Sequence, residues 1–234
     1  MSEPSEADGP RRRRLPRGWA AFLSELAIVV FGVFIALGAQ QLVDTWRANS
    51  EVREFRAALK LELAESLGAY QSRVAQSKCV NQRLDQLERW QRDWRDGKGA
   101  RIDGTIGRPF AYALSTSVWR TGATSIAVRM PLEERLYYSG IYDSLENYDA
   151  LRYREVATWQ ALFAFDGVVQ LSQPEINTLR GLILSARSTD RSMQMNLPGL
   201  LRAAARVGVR PGVDEEAAPL DLCRPLRVTS LPGR

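Results

Sequence analysis

The chain has 234 residues and a net charge of +5, and its length allows about one folded domain beside a membrane anchor. It contains no histidine and only two cysteines. The lack of histidine removes the commonest general base and every Ser-His or Cys-His catalytic pair, and two cysteines are too few for a thiolate zinc site. Composition therefore disfavours a hydrolase or a metalloenzyme, and we expect no cofactor or metal.

Residues 1–18 form a polar tail that we expect to lack regular structure. Basic residues next to a membrane span favour the cytoplasmic side, so the tail is predicted to be cytoplasmic. An arginine cluster can bind nucleic acid, but beside a membrane span it is more typical of a topology signal and of contact with anionic lipids. We therefore expect no nucleic-acid partner. The basic residues of the tail are Arg11, Arg12, Arg13, Arg14 and Arg17.

An uncharged apolar stretch follows the tail and runs from Leu26 to Val43. A helix rises about 1.5 Å per residue and roughly 20 residues cross the hydrocarbon core, so we predict one transmembrane helix over residues 19–43. The lipid bilayer is then the first predicted partner. A cleaved signal peptide is the alternative, which the length of the stretch and Glu25 at its start disfavour. A twin-arginine export signal is not complete in the residues beside the double arginines.

Gly32 and Ala36 lie four residues apart within the predicted span. This is the small-xxx-small spacing at which two membrane helices can approach closely, and it predicts a homodimer through the membrane helix. Glycine and alanine are also common in membrane helices that have no partner, so an unpaired span is the alternative.

The residues around the span resemble a family of uncharacterised bacterial single-pass inner-membrane proteins. The resemblance lies in Glu25, the Gly-x-x-x-Ala-Leu run that begins at Gly32, and Trp46 just past the span. A second stretch is similar to the middle segment of that family, and it consists of Trp119-Arg-Thr-Gly122, Glu133-Glu134-Arg135 and Tyr142. The resemblance implies an inner-membrane location, a single pass and a helical fold, and it implies no chemistry.

The helical pattern continues beyond the span. Apolar residues recur at threes and fours from Asp44 to about Arg95, which predicts that the membrane helix runs on, with or without a kink, into a long amphipathic helix. Residues 95–108 contain four glycines and predict a flexible loop. A shorter helix is predicted within 109–130, and another from Pro131 to about Leu171, continuous or broken near residues 147–149.

Ser172-Gln-Pro-Glu175 has the spacing of a capping box and predicts the start of a further helix. That helix is predicted to fade after Ser188, and Leu197-Pro198 to introduce a last short helix. Residues 211–234 are rich in proline and are predicted to lack regular structure. The sequence thus predicts an all-α protein in which residues 44–210 form a periplasmic bundle of about four to five helices.

Both cysteines fall on the exported side of the predicted span. Because the bacterial periplasm is kept oxidising, we predict a disulfide between Cys79 and Cys223. Two separate thiols, one buried and one in a mobile tail, are the alternative.

Tyrosines, tryptophan and carboxylates crowd residues 133–163. Their helical spacing favours core and surface positions over an aromatic pocket or an acid–base pair. We therefore expect a non-catalytic interaction or sensory module of the inner membrane that meets an unidentified envelope protein. The alternative is an envelope enzyme, or an accessory subunit of a membrane enzyme complex.

Overall fold

The computed structural model describes residues 17–212 and 221–230. These residues confirm the predicted all-α fold and add one small sheet. The helices are α1 (Arg17–Ala75), α2 (Ser77–Arg95), α3 (Ser117–Gly122), α4 (Leu132–Phe163) and α5 (Gln173–Arg206), and the strands are β1 (Ala100–Asp103) and β2 (Arg227–Ser230). Single 3₁₀ turns occupy Ala127–Arg129 and Asp221–Cys223. Arg11, Arg12, Arg13 and Arg14 lie outside the described residues.

The chain divides into two compact units, residues 1–51 and 52–234. The described part of the first unit belongs to α1, which begins at Arg17, two residues before the predicted start of the span at residue 19. Among the described residues, one helix is long and apolar enough to cross a membrane. Gly32 and Ala36 are both exposed, and no other atom lies within 4 Å of a Cβ built on Gly32. The predicted homodimer through this face stays a prediction.

The second unit is a helical bundle with two apolar cores. The α1 core combines α1 from Val52 onward with the first half of α4 and the second half of α5. The α2 core combines α2 with the end of α4 and the first half of α5. Because α4 and α5 each run through both cores, the two cores are stacked along these helices.

The predicted helical stretch from Asp44 to Arg95 is present, with one interruption. The helix is interrupted at Gln76, between α1 and α2. The side-chain amide of Gln76 donates to the carbonyl oxygen of Phe110 and accepts from its N–H, both at 2.8 Å. The side chain at the break is therefore bound by the backbone of a residue 34 positions away in the sequence.

The capping box at the start of α5 is confirmed. The backbone N–H and the hydroxyl of Ser172 both donate to Glu175, at 2.7 and 2.6 Å. The predicted end near Ser188 is wrong, because α5 continues without interruption through Pro198 to Arg206. The buried side chains of Leu197 and Leu200 fix these last turns against the α1 core. Likewise α4 ends at Phe163 rather than near Leu171, and it has no break near residues 147–149.

The prediction of an irregular tail over 211–234 is wrong for residues 221–223 and 227–230, which form a 3₁₀ turn and a strand. Strand β2 pairs with β1 in antiparallel register, with Ala100 opposite Ser230 and Asp103 opposite Arg227. The predicted loop at 95–108 therefore contains a strand, and the tail supplies its partner. Both strands have the β-branched residues that pleated pairs favour, and neither can form a sheet alone.

Candidate functional site

A buried layer of charged side chains lies beside the α1–α2 junction, and we call Arg73, Glu155 and Asp190 the arginine layer. Arg73 is 0% exposed, Glu155 2% and Asp190 1%. The Nε of Arg73 donates to one oxygen of Glu155 at 2.8 Å, and its Nη2 donates to the other oxygen of that carboxylate. Nη2 also reaches the Oδ1 of Asp190 at 3.0 Å. One cation thus pairs with two carboxylates away from water.

Asp190 extends the arginine layer to every long helix of the bundle. It accepts hydrogen bonds from the hydroxyl of Ser77 at 2.8 Å, from the amide of Asn81 at 3.0 Å and from the amide of Gln194 at 2.7 Å. Ser77 and Asn81 stand on α2 and Gln194 on α5, while Arg73 stands on α1 and Glu155 on α4. The layer therefore fixes the register of four helices at one level.

The electrostatics of the arginine layer favour a permanent charge rather than proton transfer. Burial lowers the pKa of Arg73, but the hydrogen bond and the charge of Glu155, followed by those of Asp190, outweigh burial and raise it. The guanidinium therefore stays charged, and both oxygens of Glu155 are engaged by it. A carboxylate held in this way is a poor general base, because its lone pairs already accept charge-assisted hydrogen bonds.

A second buried carboxylate, Glu62, holds the segment that precedes α3. It is 6% exposed and accepts hydrogen bonds from the hydroxyls of Ser115 and Ser117 at 2.7 and 3.1 Å. The N–H of Val118 donates to it at 3.0 Å, and the hydroxyl of Tyr142 at 2.7 Å. Glu62 on α1 thus acts as the cap of a short helix that is distant in the sequence.

The aromatic residues that crowd α4 are divided between core and surface. Tyr138, Tyr142 and Tyr148 are at most 1% exposed, as a core interpretation predicts. The indole of Trp119 stacks on the ring of Tyr142 with the centroids 5.2 Å apart and an interplanar angle of 7°. Tyr153, in contrast, is 64% exposed. The stacked pair joins α3 to α4, and its tyrosine also donates its hydroxyl to Glu62.

Glu62→Gln is expected to lower the free energy of unfolding at pH 7 by about 1–3 kcal/mol, because hydrogen bonds to a charged acceptor are lost. Urea unfolding of the full chain in detergent, at several pH values, measures this loss. Burial raises the pKa of Glu62, but the hydrogen bonds from Val118, Ser115, Tyr142 and Ser117 outweigh burial and lower it. The contribution is therefore present above the unfolded pKa and is lost as the pH falls through the folded pKa.

The matched control for this substitution is Glu65→Gln, one turn away on α1 and exposed. We expect it to change the free energy of unfolding by less than about 0.5 kcal/mol at any pH. Equal effects of the two substitutions, or a Glu62→Gln deficit that persists at low pH, would contradict the capping role of Glu62.

Among the described residues, a groove lies along α1 on the turns that also carry Arg73. Gly212 donates its N–H to the carbonyl oxygen of Ala64 at 2.7 Å, and its own carbonyl oxygen lies 2.6 Å from a Cβ built on Gly68. Only glycine at position 68 allows this approach. Beside the contact is a groove of about 740 Å³, which we call the Gly68 groove. Its lining includes Gly68, Gln71, Ser72, Ala75, Leu201, Ala205 and Val209.

The C-terminal segment is held on α2 by a covalent bond and a buried arginine. Cys79 and Cys223 form the predicted disulfide, with their Cα atoms 4.7 Å apart. One turn further along α2, Arg83 is 2% exposed and donates to backbone carbonyls of both Thr105 and Arg224, at 3.3 and 2.7 Å. Arg83 also donates to the carbonyl oxygens of Ile106, Asp221 and Leu222. Segment 221–226 is thereby fixed to the bundle.

The arginine layer is not predicted from the sequence, although the sequence contains a signal for Arg73. Arg73 follows Tyr70 by three residues and continues the buried stripe of α1 through Leu59 and Leu63. A charged residue at a core position of a helix requires a buried partner, but its partners on α4 and α5 cannot be identified by spacing. Within residues 17–212 and 221–230, no group of three or more histidine, cysteine or acidic residues could hold a metal ion.

Comparisons with known proteins give no match at the level of family, curated relative or solved structure. The resemblance to single-pass inner-membrane proteins therefore stays a prediction.

Proposed function

We propose that the protein is a membrane-anchored, non-catalytic interaction or sensory module of the bacterial envelope. Its apolar helix anchors it in the inner membrane, its tail faces the cytoplasm, and its bundle meets an envelope protein in the periplasm. The disulfide between Cys79 and Cys223 supports the periplasmic location, because such bonds persist in oxidising compartments.

The observation that carries the proposal is the position of the arginine layer at the end of α1. Helix α1 contains the apolar segment and also supplies one side of the α1 core, and it ends two residues after Arg73. The layer ties that end to α2, α4 and α5 by hydrogen bonds that leave its carboxylates occupied. Such an arrangement is suited to holding a defined helix register, which an interaction or sensory module requires.

The Gly68 groove is the surface that we assign to the partner. Small side chains on α1 and α5 line it, and they let another helix approach the backbone closely. Leu201 and Val209 add apolar surface to a lining that also contains Gln71 and Ser72. This mixture is typical of grooves that take an amphipathic helix.

Filling the groove with a large side chain tests the proposal. We expect Ala205→Trp and Ser72→Trp to release the chain from a larger assembly, because an indole would occupy the space of the partner helix. The measurement is the apparent mass of the full chain after mild detergent extraction of native membranes, by native electrophoresis.

Ala157→Trp provides the matched control, since Ala157 is an exposed alanine on α4 that does not line the groove. It should leave the assembly unchanged. A wild-type chain that migrates alone, or groove variants that migrate like the control, would overturn the assignment of the groove.

A further inference from the structure

We propose that an exposed apolar patch at the start of α4 rests on the interfacial region of the bilayer that anchors the chain. This inference depends on the membrane anchoring proposed above. The patch consists of Leu132 and Leu136, which are 60% and 62% exposed, and we call it the leucine patch.

The leucine patch faces away from the bundle. Leu132 and Leu136 are one helical turn apart, so they share one face of α4. The buried residues Ile141 and Leu145 lie on roughly the opposite face at 100° per residue. The two leucines therefore contribute little to the core, and their exposure needs a separate cause.

The apolar character of this outer face is confined to the first two turns of α4. Further along the same face are Asp143 and Asn147, both exposed. A partner that covered the length of α4 would require apolar residues along it. A flat surface that meets only the beginning of the helix fits the observed pattern better.

The leucine patch lies at the end of the bundle where the chain arrives from the apolar segment. Glu134, between the two leucines, pairs with Arg56 on α1 at 2.7 Å. The ring of Phe55 lies directly against Gly122, in the segment that precedes the patch. Only residues 44–51 separate the predicted span from Val52, the first core residue. Even a fully extended chain of this length reaches no more than about 30 Å, which is the upper limit on the distance between Val52 and the end of the predicted span.

The charges beside the leucine patch are suited to lipid headgroups. A surface depression next to it is lined by Lys60, Glu133, Tyr137 and Arg206, together with the Arg56–Glu134 pair. The pair is neutral, so Lys60 and Arg206 exceed the charge of Glu133 by one. Arg206 lies over the ring of Tyr137, 5.9 Å from its centroid. An aromatic ring with basic side chains beside aliphatic ones is characteristic of protein surfaces at the headgroup level.

Site-specific photocrosslinking in native membranes tests the proposal with the full chain. A benzophenone amino acid replaces Leu132 or Leu136 in separate variants, and mass spectrometry after irradiation measures lipid adducts on the purified chain. Phe34, in the apolar segment and 69% exposed, is the positive control. Leu184, which is 56% exposed on the half of α5 that contributes to the α2 core, is the matched negative control.

We expect lipid adducts at Leu132 and Leu136 at least tenfold above the level at Leu184. Adducts at Phe34 without adducts at the two leucines would overturn the lipid contact while leaving the anchor intact. The absence of adducts at Phe34 would instead overturn the anchor, and the present inference with it. A crosslink from either leucine to a second copy or to another protein, in place of lipid, would also refute the proposal.

Discussion

Replacing Arg73 by methionine is expected to lower the free energy of unfolding by about 3–5 kcal/mol, because it leaves two buried carboxylates without their counter-charge. Glu155 loses both of its hydrogen bonds, whereas Asp190 keeps those from Ser77, Asn81 and Gln194. Methionine approximates the length of the aliphatic part of arginine, so the cavity contribution is small. Urea unfolding of the full chain in detergent, followed by circular dichroism, measures the loss.

Two further variants separate the charge effect from a general loss of packing. Arg89→Met removes an exposed arginine from α2 and should change the free energy of unfolding by less than about 0.5 kcal/mol. The double variant R73M/E155M should be more stable than R73M alone, because it also removes the carboxylate left without a partner. If R73M behaves like the surface variant, or if the double variant is the less stable one, the buried ion pair does not hold the layer.

The features that are predicted correctly from the sequence depend on local chemistry, on composition or on the number of cysteines. The apolar segment follows from composition alone, and the start of α5 follows from side-chain and backbone bonds within residues 172–175. The disulfide follows from the presence of only two cysteines on the same predicted side of the span. None of these depends on knowing which helices are neighbours.

The features that were missed depend on contacts between distant parts of the sequence. The interruption at Gln76 involves Phe110, 34 positions away, and no glycine or proline marks it. Strand β2 has a partner in β1 more than 120 positions earlier, and the prolines around it mask the pattern. Pro198 favours a helix start in the sequence, because a proline inside a helix removes a hydrogen bond. Burial of the leucines on either side of Pro198 outweighs that loss.

The arginine layer shows the same limit for the candidate site. Arg73 stands on the buried stripe of α1, and this much could be inferred from spacing. Its partners Glu155 and Asp190 are 82 and 117 positions away, on helices whose rotation is set by the packing of two separate cores. A sequence with 27 acidic residues offers too many candidate carboxylates for a pair to be chosen without the fold.

Removing the disulfide is expected to lower the thermal midpoint of unfolding by roughly 5–15 °C in the double variant C79S/C223S. The bond spans 144 positions, and the chain-entropy account gives an upper value of roughly 5 kcal/mol for a loop of that length, with smaller measured values common. Replacing both cysteines avoids leaving a reactive thiol that could mispair.

The segment joined by the bond has other contacts, and these determine what the variant should look like. Arg83 still binds the carbonyl oxygens of residues 221, 222 and 224, and Gln86 still accepts the N–H of Leu226 at 3.1 Å. Leu222 is 2% exposed and belongs to the α2 core. We therefore expect the β1–β2 pair to persist in the folded variant, with the loss arising mainly from the greater freedom of the unfolded chain.

Thermal unfolding with and without a reductant, combined with amide hydrogen exchange, distinguishes these contributions. The wild-type chain with reductant should unfold at the temperature of C79S/C223S, and the variant should not respond to the reductant. Exchange at residues 227–230 should rise only slightly in the folded variant, because the strand pairing and the Arg83 contacts are intact. Complete loss of protection there would mean that the bond, and not Arg83, holds the segment in the native state. Two results together would refute the bond and the periplasmic placement that it supports. The thermal midpoint of the wild-type chain would not change with reductant, and both thiols would react in protein purified from cells without reductant.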